Sequence, residues 1–181
     1  MTRTVRVIVT DAPRFQAAPA EALLRLELWA NTAAVSARFA AVFGIALPGP
    51  SQAASAGAIR AIWREPGAWM IRAPLAERDD TVTRLVTVAG RDGAVTDISG
   101  AAVRCALRGR DWRILLTYGG VFDAEAPAFG PGCVAGTLIE HMAVRFDVIA
   151  EDQVDVYVAP SFAMDLFAYW SAVTRELDVR G

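Results

Sequence analysis

A chain of 181 residues is long enough to bury a core of its own, and a net charge of −2 is not the basic surplus that grips a nucleic-acid backbone. Its 54% hydrophobic share is swollen by alanine, and no run approaches the roughly 18 apolar residues of a membrane-spanning helix. Reactive groups are scarce: one histidine (His141), two cysteines (Cys105 and Cys133) and no lysine, every basic residue being arginine.

Acid–base, nucleophilic and metal chemistry draw on those side chains or on carboxylates with shifted pKa values. The chain therefore either works with carboxylates alone or performs no chemistry itself. We expect the second, with no catalytic, cofactor-binding or metal site. The first residues lack the apolar stretch of a secretory signal, so the expected location is the cytoplasm and the cysteines are expected as thiols.

Residues 4–10 (TVRVIVT) alternate apolar and polar and predict a strand or extended arm, and 11–21, broken by Pro13 and Pro19, should be irregular. Residues 23–29 (LLRLELW) predict a strand with Leu24, Leu26 and Leu28 on one face. Asn31 is placed to cap a helix through Val35, Phe39 and Phe43 that stops at Gly44. Residues 47–57, rich in Pro, Gly, Ser and Ala, should be disordered or ordered only by a partner. Two strands around Pro66-Gly67 follow, at 58–64 and 68–72. A helix with Leu75, Val82, Leu85, Val86 and Ala89 inward then ends at Gly90.

The second half predicts a hairpin, 94–98 and 102–107, turning at Ser99-Gly100. A short helix holding Asp111, Trp112, Leu115 and Leu116 runs into Gly119-Gly120, and a Pro/Gly-rich connection spans 123–132. Strands at 134–141, 143–149 and 154–158 come in close succession, and Ser161 can cap a last helix bearing Phe162, Leu166, Trp170, Val173 and Leu177 near one face. Strands and helices without regular βαβ alternation define an α+β chain with a mostly antiparallel sheet and flanking helices. The organisation expected is one domain over 1–181, with an arm at 1–22 and lobes at 23–90 and 91–178.

His141, read as mid-strand, belongs to no triad pattern and is expected to be structural or at the surface. Cys105 reads as a small buried thiol, and nothing basic beside Cys133 lowers its pKa. Arg104, Arg108, Arg110 and Arg113 form either a surface for an acidic partner or a solvated face with local ion pairs. Trp63, Trp69, Trp112, Phe122, Phe129, Phe167 and Tyr169 either seal the lobes or meet another chain. Trp112, Phe122, Phe129, Arg110 and Arg113 are the candidate partner surface.

Four stretches resemble one family. They are LLRLELWANTAAVSARFAAVFGIALPGP, IWREPGAWMIRAP, AVTDISGAAVRCALRGRDWRILLTYGGVFD and FGPGCVAGTLIEHMAVRFDVIAEDQVDVYVAPSFAMDLFAYW, spread over about residues 20–172. Their order and spacing resemble the gamma subunit of heterotetrameric sarcosine oxidase, itself similar to the folate-binding part of glycine-cleavage aminomethyltransferases. The chain departs from the latter where a G-G-x-x-D-D turn and a V-N strand end supply an aspartate and an asparagine. Residues 140–147 lack the glycine pair and adjacent aspartates, and the asparagine position falls near Ala159-Pro160.

The resemblance implies a folate-binding aminomethyltransferase-like fold that has lost its folate chemistry. It implies a complex whose alpha and beta subunits carry FAD, FMN and NAD, and whose delta subunit holds zinc. That complex demethylates sarcosine to glycine, yields hydrogen peroxide, and passes the methyl carbon to formaldehyde or methylene-tetrahydrofolate. Gamma would be a structural partner chiefly of alpha, with no nucleic acid and no membrane involved. The competing expectation is a stand-alone folate-dependent aminomethyl or methyl transferase drawing on Asp97, Asp123, Asp147 and Glu140.

Overall fold

A computed structural model describes residues 14–109, 111–121, 123, 124, 126 and 128–180. The strand expected at 4–10 lies outside the described residues. Backbone contacts divide the chain into two compact units, one built from 19–102 with 132–135 and the other from the remaining segments.

In the first unit β2 (Glu21–Leu28) leads to α1 (Thr32–Phe43), β3 (Ala53–Ala56), β4 (Ile59–Glu65), β5 (Ala68–Pro74), α2 (Arg78–Ala89) and β6 (Gly93–Asp97). The five strands form one antiparallel sheet in the order β3-β4-β5-β2-β6. The alternation read in the sequence holds: Leu24, Leu26 and Leu28 share a face with Ile59, Ala61, Trp69 and Ile71, and α1 and α2 cover it with Val35, Phe39, Phe43, Leu85 and Val88. Each such Val, Leu, Ile or Phe side chain stabilises the unit by about 1.5–3 kcal/mol when fully buried. The turn at Pro66-Gly67 is as expected, and Gly67 is required there. Its φ is +77°, and a Cβ would sit 2.7 Å from the Leu28 carbonyl oxygen.

In the second unit β7 (Val103–Arg108) is followed by α3 (Trp112–Thr117), β8 (Val134–Ile139), β9 (Met142–Ala150), β10 (Gln153–Val158) and α4 (Pro160–Arg180). The sheet order is β1-β7-β10-β9-β8, with β1 (Arg14–Ala17) antiparallel to β7. Leu107, Phe146, Val148, Val154 and Val156 are buried on one face of this sheet, and Leu115, Leu116, Leu166 and Trp170 of the helices are buried with them.

Several expectations need correction. The predicted hairpin at 94–107 does not form, because β6 pairs with β2 in the first sheet and β7 with β1 and β10 in the second. The division consequently falls after residue 102 and not after 90. Residues 14–17 of the stretch expected to be irregular form β1, which pairs along one edge with β7 and ends before Pro19. The 47–57 segment is ordered: β3 pairs with β4, Gln52 bridges Cys133, and the Trp69 indole N–H donates to the Pro48 carbonyl at 2.8 Å in a buried bond. Asn31 adopts φ 51° and makes no side-chain cap; its amide nitrogen donates to Asp92 instead. In α2 the inward residues are Thr81, Leu85, Val88 and Ala89, whereas Val86, like Leu75 before the helix, is exposed. Ser161 lies inside α4, which starts at Pro160, where a missing N–H costs nothing.

Candidate functional site

The candidate partner surface centres on α3. Trp112 is fully buried, donates its indole N–H to the Glu151 carbonyl at 3.0 Å, and meets Phe129 edge to face at 6.1 Å. Phe129 is also buried. These two rings are part of the buried core. Arg113 lies over the Trp112 ring at 4.4 Å and donates to the Ala124 carbonyl, so its stem and charge are both spent locally. Arg110 and Phe122 lie outside the described residues. Arg108 donates to the Gln153 side chain and Arg104 to Asp155, so these arginines do not share one anion-facing cluster.

The strands bring other charges together. Asp155 on β10 stands opposite Asp147 on β9, and Tyr157 stands opposite both Arg104 and Arg145. Directly opposed residues share a face, so all five side chains lie on the face away from Val154 and Val156. Asp147 and Asp155 are almost fully buried, and Arg104 Nη1 donates to Asp155 Oδ2 at 3.0 Å. Opposed carboxylates repel, and the guanidinium offsets that cost. Sealed from water and held by Arg104, Asp155 cannot reach a dissolved substrate.

His141 sits in the β8–β9 turn and not mid-strand, exposed, with its ring edge to face on Phe162 at 5.8 Å. Glu140 takes φ 54° in that turn and accepts a hydrogen bond from the Tyr169 hydroxyl, whose pKa is raised first by desolvation and then by Glu140. Cys105 is buried on β7, and desolvation pushes its thiol up to about 12. Glu140 and Asp147, two carboxylates of the competing transferase reading, stand well apart within the second unit. Asp97 belongs to the first unit, where its own loop's Ser99 binds it. In the second unit Asp147 lies five residues along β9 from Met142, about 17 Å at ~3.3 Å per residue, so Glu140 and Asp147 cannot act on one bond. Among the described residues no group of three or more His, Cys, Asp or Glu could hold a metal ion.

Two features escaped the sequence reading. Asp155 falls on the polar side of the run 154–158, and the sequence reading did not single it out. Trp29 read as the end of β2, yet its ring is 66% exposed and fixed by an indole N–H bond to the Arg91 carbonyl at 3.1 Å. Its only sequence signal was an indole next to a helix-start residue.

Two five-stranded antiparallel sheets with flanking helices give this chain a fold similar to the folate-binding domain of aminomethyltransferases. Glycine cleavage system aminomethyltransferase T from Bartonella henselae is similar over 88% of this chain and 45% of its own, with a TM-score of 0.63 and 14% identity. The sarcosine oxidase, gamma subunit family matches residues 29–175, and the chain belongs to that family. The heterotetrameric sarcosine oxidase from Corynebacterium sp. U-96, in complex with pyrrole 2-carboxylate, is similar over 94% of this chain and 88% of that one, with a TM-score of 0.81 and 18% identity. No curated protein matches at the level of sequence.

Proposed function

We propose that this gamma-family chain is an accessory, non-catalytic subunit of a sarcosine-oxidizing flavoenzyme and a structural partner chiefly of its alpha subunit. Family membership carries the reading. The separation of Asp147 from Glu140 along β9 and the burial of Asp147 and Asp155 support the non-catalytic part. FAD, FMN, NAD, zinc and tetrahydrofolate then belong to the assembly and none to this chain. Sarcosine becomes glycine with hydrogen peroxide and formaldehyde or methylene-tetrahydrofolate, in the cytoplasm.

The proposed alpha contact lies around α3, where Arg113 covers the buried Trp112 ring; Arg110 and Phe122, also proposed for it, lie outside the described residues. The antiparallel bridge between Gly120 and Ile139 sets Val121 and Leu138 side by side, and both are exposed. Co-expression with the other oxidase subunits tests the reading. A yellow complex retaining this chain is expected, with no peroxide formed from sarcosine by the chain alone. Turnover by the lone chain refutes it.

A further inference from the structure

In the first unit, β4 carries a bulge. Trp63 pairs with Trp69 and Glu65 with Ala68, so Arg64 is the extra residue, and bulges re-aim the side chain they insert. The re-aimed guanidinium is half-buried and donates to the Met70 thioether sulfur at 4.0 Å, a poor acceptor. No carboxylate of the described residues forms an ion pair with it. Met70 stands opposite Arg25, which brings a second guanidinium to the same face.

The neighbouring acids are already engaged. Glu27 and Glu65 both accept from one nitrogen of Arg25, Nη2, at 2.7 and 2.6 Å. Desolvation first, and then Arg25, disfavour the charge on Arg64, with Glu65 acting in the other direction. An arginine does not answer such stress by losing its proton, and an anion held against it would relieve it. A planar fork of N–H donors matches the two oxygens of a carboxylate.

We propose that Arg64, flanked by Arg25, is a carboxylate-binding site of this chain. The carboxylate comes either from a partner polypeptide or from a small acid in solution, and two arms separate these sources. In the first, acetate at constant ionic strength is titrated into the full chain while the Arg64 Nε–H resonance is followed by NMR. Arg64→Gln and Arg64→Lys provide the assignment, and Arg108→Gln is the control. A saturable shift identifies a free carboxylate.

In the second arm, which rests on the oxidase-subunit reading, Arg64→Gln and Arg64→Lys chains are assembled with the other subunits. At least tenfold weaker assembly for Arg64→Gln, partly restored in Arg64→Lys, identifies a partner's carboxylate. A non-saturating acetate response together with unchanged assembly of Arg64→Gln overturns the proposal. A wild-type chain that joins no subunits removes the oxidase reading instead, and the acetate arm then decides the site alone. Unchanged far-UV circular dichroism of both variants shows that the fold is intact.

Discussion

Replacing Trp112 decides whether that ring is core or contact. Trp112→Ala removes a fully buried indole, its N–H bond to Glu151 and its edge-to-face contact with Phe129. Truncating a large buried aromatic costs about 3–5 kcal/mol, within which the hydrogen bond accounts for about 1 and the ring pair for about 0.5–1.5. Against a typical stability of about 5–15 kcal/mol that is a large fraction. With a urea slope of ~2 kcal/mol per molar, the midpoint should fall by roughly 1.5–2.5 M. Trp112→Phe keeps most of the packing but orphans the Glu151 carbonyl, and about 1–2 kcal/mol is expected. Equilibrium urea unfolding followed by circular dichroism reads both. If Trp112→Ala unfolds at the wild-type midpoint, the ring is not core and the reasoning here is wrong.

Arg104→Met strips the buried Asp155 carboxylate of its 3.0 Å guanidinium and should cost about 3–5 kcal/mol in the same assay; a loss below about 1 kcal/mol contradicts the pairing. Asp92 is held below the usual carboxylate range first by the Asn31 amide and then by Arg38, so its contribution is present above about pH 4 and is lost as pH falls through the folded value. Asp92→Asn should flatten that acid limb, and an unaltered pH–stability curve argues against the network. Cys105, with its thiol near 12, should resist iodoacetamide at pH 8 until the chain is unfolded, and rapid labelling of the native chain at Cys105 contradicts its burial.

Local pattern made β2 legible because its alternation is imposed by the face that α1 and α2 cover. Pairing partners were not legible in the same way. Ser99-Gly100 carries good turn chemistry, yet Ser99 turns back onto the Asp97 carboxylate and accepts the Leu23 N–H, so the turn ends β6 without starting a hairpin. β3 (AASA) has little strand propensity of its own and exists through its register with β4. His141 was misplaced because Glu140, at φ 54°, makes a tight turn within an otherwise strand-like run. Asp155 was missed for a different reason. Alternation assigns it to the polar side, and only the assembled strands show that this side is buried as well.

The same distinction applies where β10 passes into α4. Where the resemblance places an asparagine, this chain has Ala159-Pro160, and those residues form the junction at which β10 passes into α4. Proline there presets the first helical residue and offers no side-chain amide. The position still directs Leu166 and Trp170 into the core, because helix direction depends on the backbone and not on a polar head group. Strand register, helix start and apolar face are thus specified independently of any reactive side chain.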